Sequence, residues 1–233
     1  MREPLPIVLV PGLDCSPRLY GEQIPALWRF GPVQVADHTR DDRMDAIAAR
    51  LLAAAPPRFA LAGLSMGGYL ALEVMRQAPD RVARLALLDT NARGDTPEIS
   101  ERRWRQIELA QNGRLGEIVD QQLPLFVHRD RRGDASLIEI VRVMVKETGA
   151  EAFVRQQRAL IGRQDLRSHL AAIRCPTHVL VGDGDELTPP ALAKEIAGSI
   201  AGARLVVVPA SGHLSTLEQP VAVNMALVEW MAA

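Results

Sequence analysis

Ser65, His213 and a group of acidic residues between them have the types needed for nucleophilic catalysis. Ser65 is the centre of Gly63-Leu64-Ser65-Met66-Gly67, directly after the apolar run Phe59-Ala60-Leu61-Ala62 and directly before a helical pattern. That context predicts a strand turning sharply into a helix, with the serine hydroxyl held out at the bend. A serine placed so is backbone-strained, and a side chain at position 63 or 67 would strike the opposite limb. Its hydroxyl is a weak nucleophile until a base takes its proton, and an imidazole does that best near neutral pH.

The chain has five histidines, so position must choose among them. His213, in Ala210-Ser211-Gly212-His213, follows the last predicted strand and should lie at the same sheet edge as Ser65. His38 also follows a strand, but early in the chain and without an acidic partner from a later strand. His178 falls inside a strand, and His128 and His169 are expected on the exposed surface of a helical stretch. None of the five has metal-ligand spacing, and no metal is expected. A catalytic imidazole also needs a carboxylate to fix its tautomer. Asp183, Asp185 and Glu186 crowd one turn, and Asp89 ends an earlier strand; spacing leaves Asp183, Asp185 and Asp89 open. The acidic turn lacks the downstream glutamate and ligand spacing of a calcium loop.

Acyl transfer further requires two backbone N–H groups aimed at the developing oxyanion. One is expected from Met66, which follows the nucleophile. The other is expected from Leu13 in Pro11-Gly12-Leu13-Asp14, the loop after the first strand.

Short apolar runs at 7–10, 33–36, 59–62, 85–88, 177–181 and 205–208 must position these residues. They lack in/out alternation, as expected of strands covered on both faces. Helical patterns at 44–54, 68–77 and 220–231 separate or follow them, with Thr188 a candidate N-cap before Pro189 and Pro190. Strand–helix alternation of this kind implies a doubly wound, mostly parallel sheet with ligands at the strand carboxyl ends. Residues 90–176 interrupt it with helical patterns near 99–110, 115–123, 135–147 and 150–161. The expected division is a core of 1–89 and 177–233 with a helical lid of 90–176. Within that lid Leu125, Phe126, Phe153 and Gln157 are candidates to line the site.

Composition narrows the partners. The formal net charge is −1, with 27 basic and 28 acidic residues, which offers no electrostatic attraction for nucleic acid or a membrane surface. The apolar run near the N-terminus is broken by Pro6 and Pro11, too short for a signal core. Two cysteines, Cys15 and Cys175, form no disulfide framework, and a reducing cytoplasm is expected.

In order and context these motifs resemble the α/β-hydrolase family, over essentially the whole chain. Gly63 to Gly68 resembles the elbow of its small bacterial esterases. Gly182-Asp183-Gly184-Asp185-Glu186-Leu187-Thr188-Pro189 resembles its acid loop, which aligns the acid with Asp185. Gly212 to Pro220 resembles its histidine loop. The resemblance implies six parallel strands in the family's order 4-3-5-6-7-8, with the chain beginning at the family's third strand. One departure is Pro11-Gly12 where the oxyanion loop usually begins His-Gly.

The implied function is hydrolysis of a small carboxylic ester through an acyl-enzyme, with Ser65 as nucleophile, His213 as base and Asp185 as its partner, and no cofactor. The same triad in this family also serves thioesterases, lactonases, C–C bond hydrolases and perhydrolases, and some relatives are ligand receptors. Arg102, Arg103, Arg105, Arg129, Arg131 and Arg132 could meet a carrier-protein phosphate, as lid arginines do in the similar pimeloyl-carrier-protein methyl ester esterases. Neighbouring acids cancel much of their field, so solvated helix faces are the expected reading.

Overall fold

Unbroken apolar strands imply two cores, one on each side of the sheet. The computed structural model describes residues 4–232. In chain order it runs β1 (Ile7–Val10), α1 (Gln23–Leu27), β2 (Val33–Val35), α2 (Met44–Ala54), β3 (Phe59–Leu64), α3 (Met66–Gln77) and β4 (Val82–Leu88). The helices α4 (Pro97–Gln111), α5 (Leu115–Phe126), α6 (Ala135–Thr148) and α7 (Ala150–Ile161) follow, then β5 (Thr177–Gly182), α8 (Pro190–Ser199), β6 (Arg204–Val208), α9 (Ser215–Glu218) and α10 (Pro220–Ala232). Among the described residues the sheet has six strands, ordered β2-β1-β3-β4-β5-β6. Every neighbouring pair is parallel.

Successive strand residues point to opposite faces. Val8, Val10, Leu61, Leu87 and Val181 join Ile47 of α2, Leu70 and Val74 of α3 and Ile196 of α8 in one core. Ile7, Leu9, Ala62, Leu88 and Leu180 join Leu27 of α1 and Leu227 and Trp230 of α10 in the other. Each fully buried Leu, Ile or Val contributes about 1.5–3 kcal/mol by leaving water. The two edge strands depart from the expected full cover. All of β2 is half-buried, and Arg204 and Val207 of β6 are exposed, since each edge strand has a neighbouring strand on one side only.

Register decides where the loops emerge. Val10 lies beside Gly63, Leu64 beside Leu88, Leu88 beside Leu180 and Gly182 beside Val208. The carboxyl ends of five strands are therefore level, and the segments after them share one edge. Above that edge sit α4–α7, whose boundaries follow local capping. Thr96 caps α4 by accepting from the Ile99 N–H, with Pro97 in the first turn; Asp134 caps α6 by accepting from Ser136 and Leu137. Ile107 and Ala110 of α4 pack on Phe153 and Val154 of α7. Val119 and Leu123 of α5 and Val141 and Met144 of α6 join the α10-side core.

Two local expectations shift. Helix α3 starts at Met66 rather than Gly68, because the elbow enters the helix at once and Tyr69 N–H donates to the Ser65 carbonyl at 3.2 Å. Thr188 does not cap α8; that helix begins at Pro190, and the Thr188 hydroxyl donates to Asp185 instead.

Close backbone approach makes a sharp test. A methyl group at Gly67 would overlap the Val10 carbonyl, whereas one at Gly116 in α5 would meet nothing within 4 Å. Gly67→Ala is expected to cost more than about 3 kcal/mol, and Gly116→Ala to stabilise by up to about 1 kcal/mol. Thermal and urea unfolding of the two variants measure both.

Candidate active site

Ser65 sits between β3 and α3 with φ 54° and ψ −114°, a left-handed backbone that costs a non-glycine residue about 1–3 kcal/mol. Surrounding bonds hold it there. Its N–H donates to Leu88 O at 2.9 Å, and its carbonyl accepts from Gly68 N–H at 2.9 Å and Thr90 Oγ1 at 2.8 Å. Asp14, Asp89 and Ala210 are the other non-glycine residues with positive φ among those described. They follow β1, β4 and β6, so the strained backbone is concentrated at this one edge.

His213 and Asp185 come together from the turns after β6 and β5. His213 Nδ1 lies 2.9 Å from Asp185 Oδ2, and both side chains are buried. Asp185 is itself held rigidly: Leu187 and Thr188 N–H groups donate to Oδ1 at 2.8 and 2.9 Å, and Thr188 Oγ1 donates to Oδ2 at 2.7 Å. Because a carboxylate only accepts, Nδ1 carries the ring proton and Nε2 is left with a free lone pair. Burial alone would push His213 down, but the Asp185 charge and hydrogen bond outweigh it and hold the imidazole above its ordinary pKa. Burial alone would push Asp185 up; the facing imidazole and the Thr188 bonds outweigh that and hold it below the usual carboxylate range.

The other acidic candidates face elsewhere. Asp183 is exposed and accepts from Ser211 N–H at 3.2 Å. Asp89 is fully buried, accepts from Gly182 N–H at 2.9 Å and takes the Ser215 hydroxyl. Burial, and then repulsion from Asp185, push Asp89 well above the usual range. Ser215 and Gly182 flank the histidine and acid loops, so Asp89 ties those two loops to β4.

Among the histidines, His128 corrects the expectation of an exposed residue. It is 8% exposed and packed against Gly184, and its backbone N–H donates to Glu218 Oε2 at 2.7 Å. The other carboxylate oxygen of Glu218 accepts from Gly212 N–H at 2.8 Å. A buried glutamate thus clamps the residue before His213 to the segment after α5. Spacing gave no hint of this, since the partners are 90 residues apart. His38 is buried and its Nε2 lies 2.9 Å from Gly12 O, which fastens the loop after β1. His178 lies in β5 and His169 is exposed.

That loop supplies Leu13, half-buried opposite the elbow, while Met66 is the first residue of α3 and its N–H has no acceptor within the helix. Next to them Asp14 N–H donates to Gln156 Oε1 at 3.0 Å, and Asp14 Oδ1 has no partner among the described residues. Burial pushes the Asp14 carboxyl up to about 8.

A cavity of about 170 Å³ lies between the strand ends and α4–α7. Ser65, His213, Leu13 and Met66 all line it, with Phe126, Met144 and Phe153 on its apolar side. Leu125 is not part of the lining, and Gln157 is fully buried, accepting from Arg103 Nη1 at 2.7 Å. Among the described residues no cluster of three His, Cys, Asp or Glu could hold a metal ion, and no helix is long and apolar enough to cross a membrane.

A sheet of this order, a serine at a strained strand–helix bend and a His–Asp pair on later loops define a known class, and the chain belongs to the alpha/beta hydrolase family, whose profile matches residues 7–226. It is 28% identical to the pimeloyl-[acyl-carrier protein] methyl ester esterase of Aromatoleum aromaticum, over 92% of this chain and 93% of that protein. Its fold is similar to a thermophilic esterase from Thermogutta terrifontis, with a TM-score of 0.90 and 31% identity over 98% of this chain and 89% of that one. The enol-lactonase from Burkholderia xenovorans LB400 has a TM-score of 0.87 at 24% identity, over 100% and 92% of the two chains, a likeness of fold.

The Glu218 clamp is open to measurement. Glu218→Gln puts an amide NH₂ where a carboxylate oxygen accepts an N–H. Its expected cost is about 1–3 kcal/mol in urea unfolding, and the loosened Gly212 should lower the labelling rate of Ser65 by a fluorophosphonate.

Proposed function

We propose that this protein is a serine hydrolase that cleaves small carboxylic esters through an acyl-enzyme. The observation that carries this reading is the buried His213–Asp185 hydrogen bond on the cavity that Ser65 also lines. Ser65 Oγ attacks the ester carbonyl while His213 Nε2 takes its proton. The oxyanion accepts from the Leu13 and Met66 N–H groups. Collapse breaks the C–O bond, the imidazolium gives its proton to the departing alcohol, and Ser65 is left acylated. Water, deprotonated by the same nitrogen, then releases the carboxylic acid. Asp185 keeps the tautomer and stabilises the imidazolium.

Size and likeness support the ester class. A cavity near 150 Å³ accepts a benzene ring, so about 170 Å³ suits a short acyl or alcohol group. Esterases stand among the relatives at 28% and 31% identity. We assign residues 90–176 the role of a lid, since α4–α7 roof the cavity and contribute much of its lining.

Ser65→Ala is expected to abolish fluorophosphonate labelling and ester turnover while circular dichroism is unchanged; persistent turnover sinks the proposal. Asp185→Asn should lower kcat by on the order of 10³-fold or more, far beyond the effect of Asp183→Asn. Equal losses in the two variants would reassign the acid.

The pH profile follows from the sign of the histidine shift. Only neutral His213 can accept the serine proton, and its pKa is raised. Activity should therefore fall as pH drops through a value above the ordinary imidazole pKa of about 6.5. Removing the charge in Asp185→Asn should move that limb to lower pH, read from kcat/KM against pH.

A further inference from the structure

One wall of the cavity is charged in a way that ester hydrolysis alone does not require. Ile99, Arg102, Arg103 and Gln106 lie at helical spacing on one face of α4, and all line the cavity that holds Ser65. Asp95, with a side chain 1% exposed, receives Arg103 Nε at 2.6 Å and Arg163 Nη1 on its other oxygen. Two guanidiniums against one carboxylate leave a net positive charge in a largely desolvated place.

The donors of these arginines are unequally engaged. Arg163 is the more heavily engaged: Nε donates to Arg93 O at 3.0 Å, Nη1 reaches Leu160 O as well as Asp95, and its guanidinium stacks 4.2 Å from the Tyr69 ring centroid. Arg103 gives Nε to Asp95 and Nη1 to Gln157, which leaves Nη2 without a partner among the described residues. Arg102 is exposed at the cavity and makes neither an ion pair nor a hydrogen bond among the described residues. Nearby arginines behave otherwise. Arg105 pairs with Glu101, Arg114 with Glu117, Arg131 with Asp134 and Arg132 with Glu186. The remaining acid on the lining, Asp14, is a weak counter to the excess, because burial pushes its carboxyl up to about 8.

We propose that Arg102 and Arg103 form an anion subsite in this cavity, and that it takes the free carboxylate of a small ester carrying one, such as a half-ester of a short dicarboxylic acid. A planar guanidinium matches a carboxylate with paired N–H donors. The ester end would lie at Ser65 and the carboxylate at the α4 wall, with the apolar side chains of α5–α7 along the intervening methylenes. This rests on the ester-hydrolase reading for turnover, but not for binding.

The test compares monomethyl succinate, glutarate and adipate with neutral methyl esters of matched length, following acid release. The wild-type protein is expected to favour the half-esters in kcat/KM by about tenfold or more. Arg102→Gln should lower the ratio of half-ester to neutral-ester kcat/KM about tenfold, and Arg102→Glu should reverse the preference. Arg103 is half-buried and paired with the buried Asp95, so its variants risk the fold; Arg102 decides. A wild-type ratio at or below one overturns the proposal, as does an Arg102→Glu ratio equal to wild type. So does a preference seen only for carrier-bound acyl esters, which would turn the arginines toward a carrier's phosphate. Calorimetry on Ser65→Ala separates this from the parent reading. Binding of monomethyl glutarate over methyl pentanoate, lost on adding Arg102→Glu, supports the subsite even without turnover. Equal weak binding of both sinks it, even where Ser65 is labelled and neutral esters are cleaved.

Discussion

Everything at the site depends on how closely backbones approach one another around Ser65. A methyl group at Gly63 would overlap the carbonyl of Gly67, one at Gly67 would overlap that of Val10, and one at Gly68 would strike Thr90. These contacts lock β1, β3, β4 and α3 together at the bend, and they hold Ser65 in a left-handed backbone that serine does not choose by itself. The strain is stored locally and offset by the two apolar cores beneath. Without those cores the loop would relax, and the hydroxyl would lose its fixed place against the neighbouring turns.

A second constraint is electrostatic. Asp185, Asp89 and Glu218 are all buried near His213, a placement that would be prohibitive for bare charges. Each is answered by named donors: Thr188 and Leu187 for Asp185, Gly182 and Ser215 for Asp89, Gly212 and the His128 backbone for Glu218. These bonds also join loops that are distant in sequence. Asp89 connects the end of β4 to the turns after β5 and β6, and Glu218 connects the histidine loop to the segment leaving α5. The helices over the cavity and the imidazole beneath it are thereby parts of one hydrogen-bonded assembly.

The six strands, the parallel sheet and the elbow were legible because their signals are local: apolar runs, a Gly-x-Ser-x-Gly between strand and helix, turn residues after each strand; the strand order came from the family resemblance. Helix α7 runs over 150–161 in both readings, since Gly149 and Gly162 bound its apolar pattern. Thr188 shows where local reasoning stopped. It has the composition of an N-cap, yet an aspartate three residues earlier competes for its hydroxyl and wins. His128 reads as a surface residue in a polar stretch; it is buried because the loops holding Gly184 and Gly212 close over it. Arg103 looked like a solvated helix charge, and only the fold of 90–176 brings Asp95 and Gln157 to it.

Residue types and their order along the chain therefore determined the fold class and the short set of residues that could meet at one edge of the sheet, because strand periodicity and turn chemistry act over a few residues. Tertiary structure decided which acid faces the imidazole, which histidine is buried and which arginines remain free beside the cavity. Those outcomes depend on distances between segments far apart in the chain, as between His128 and Glu218, 90 residues apart. Such distances arise only when the two cores pack and the register of the sheet is set.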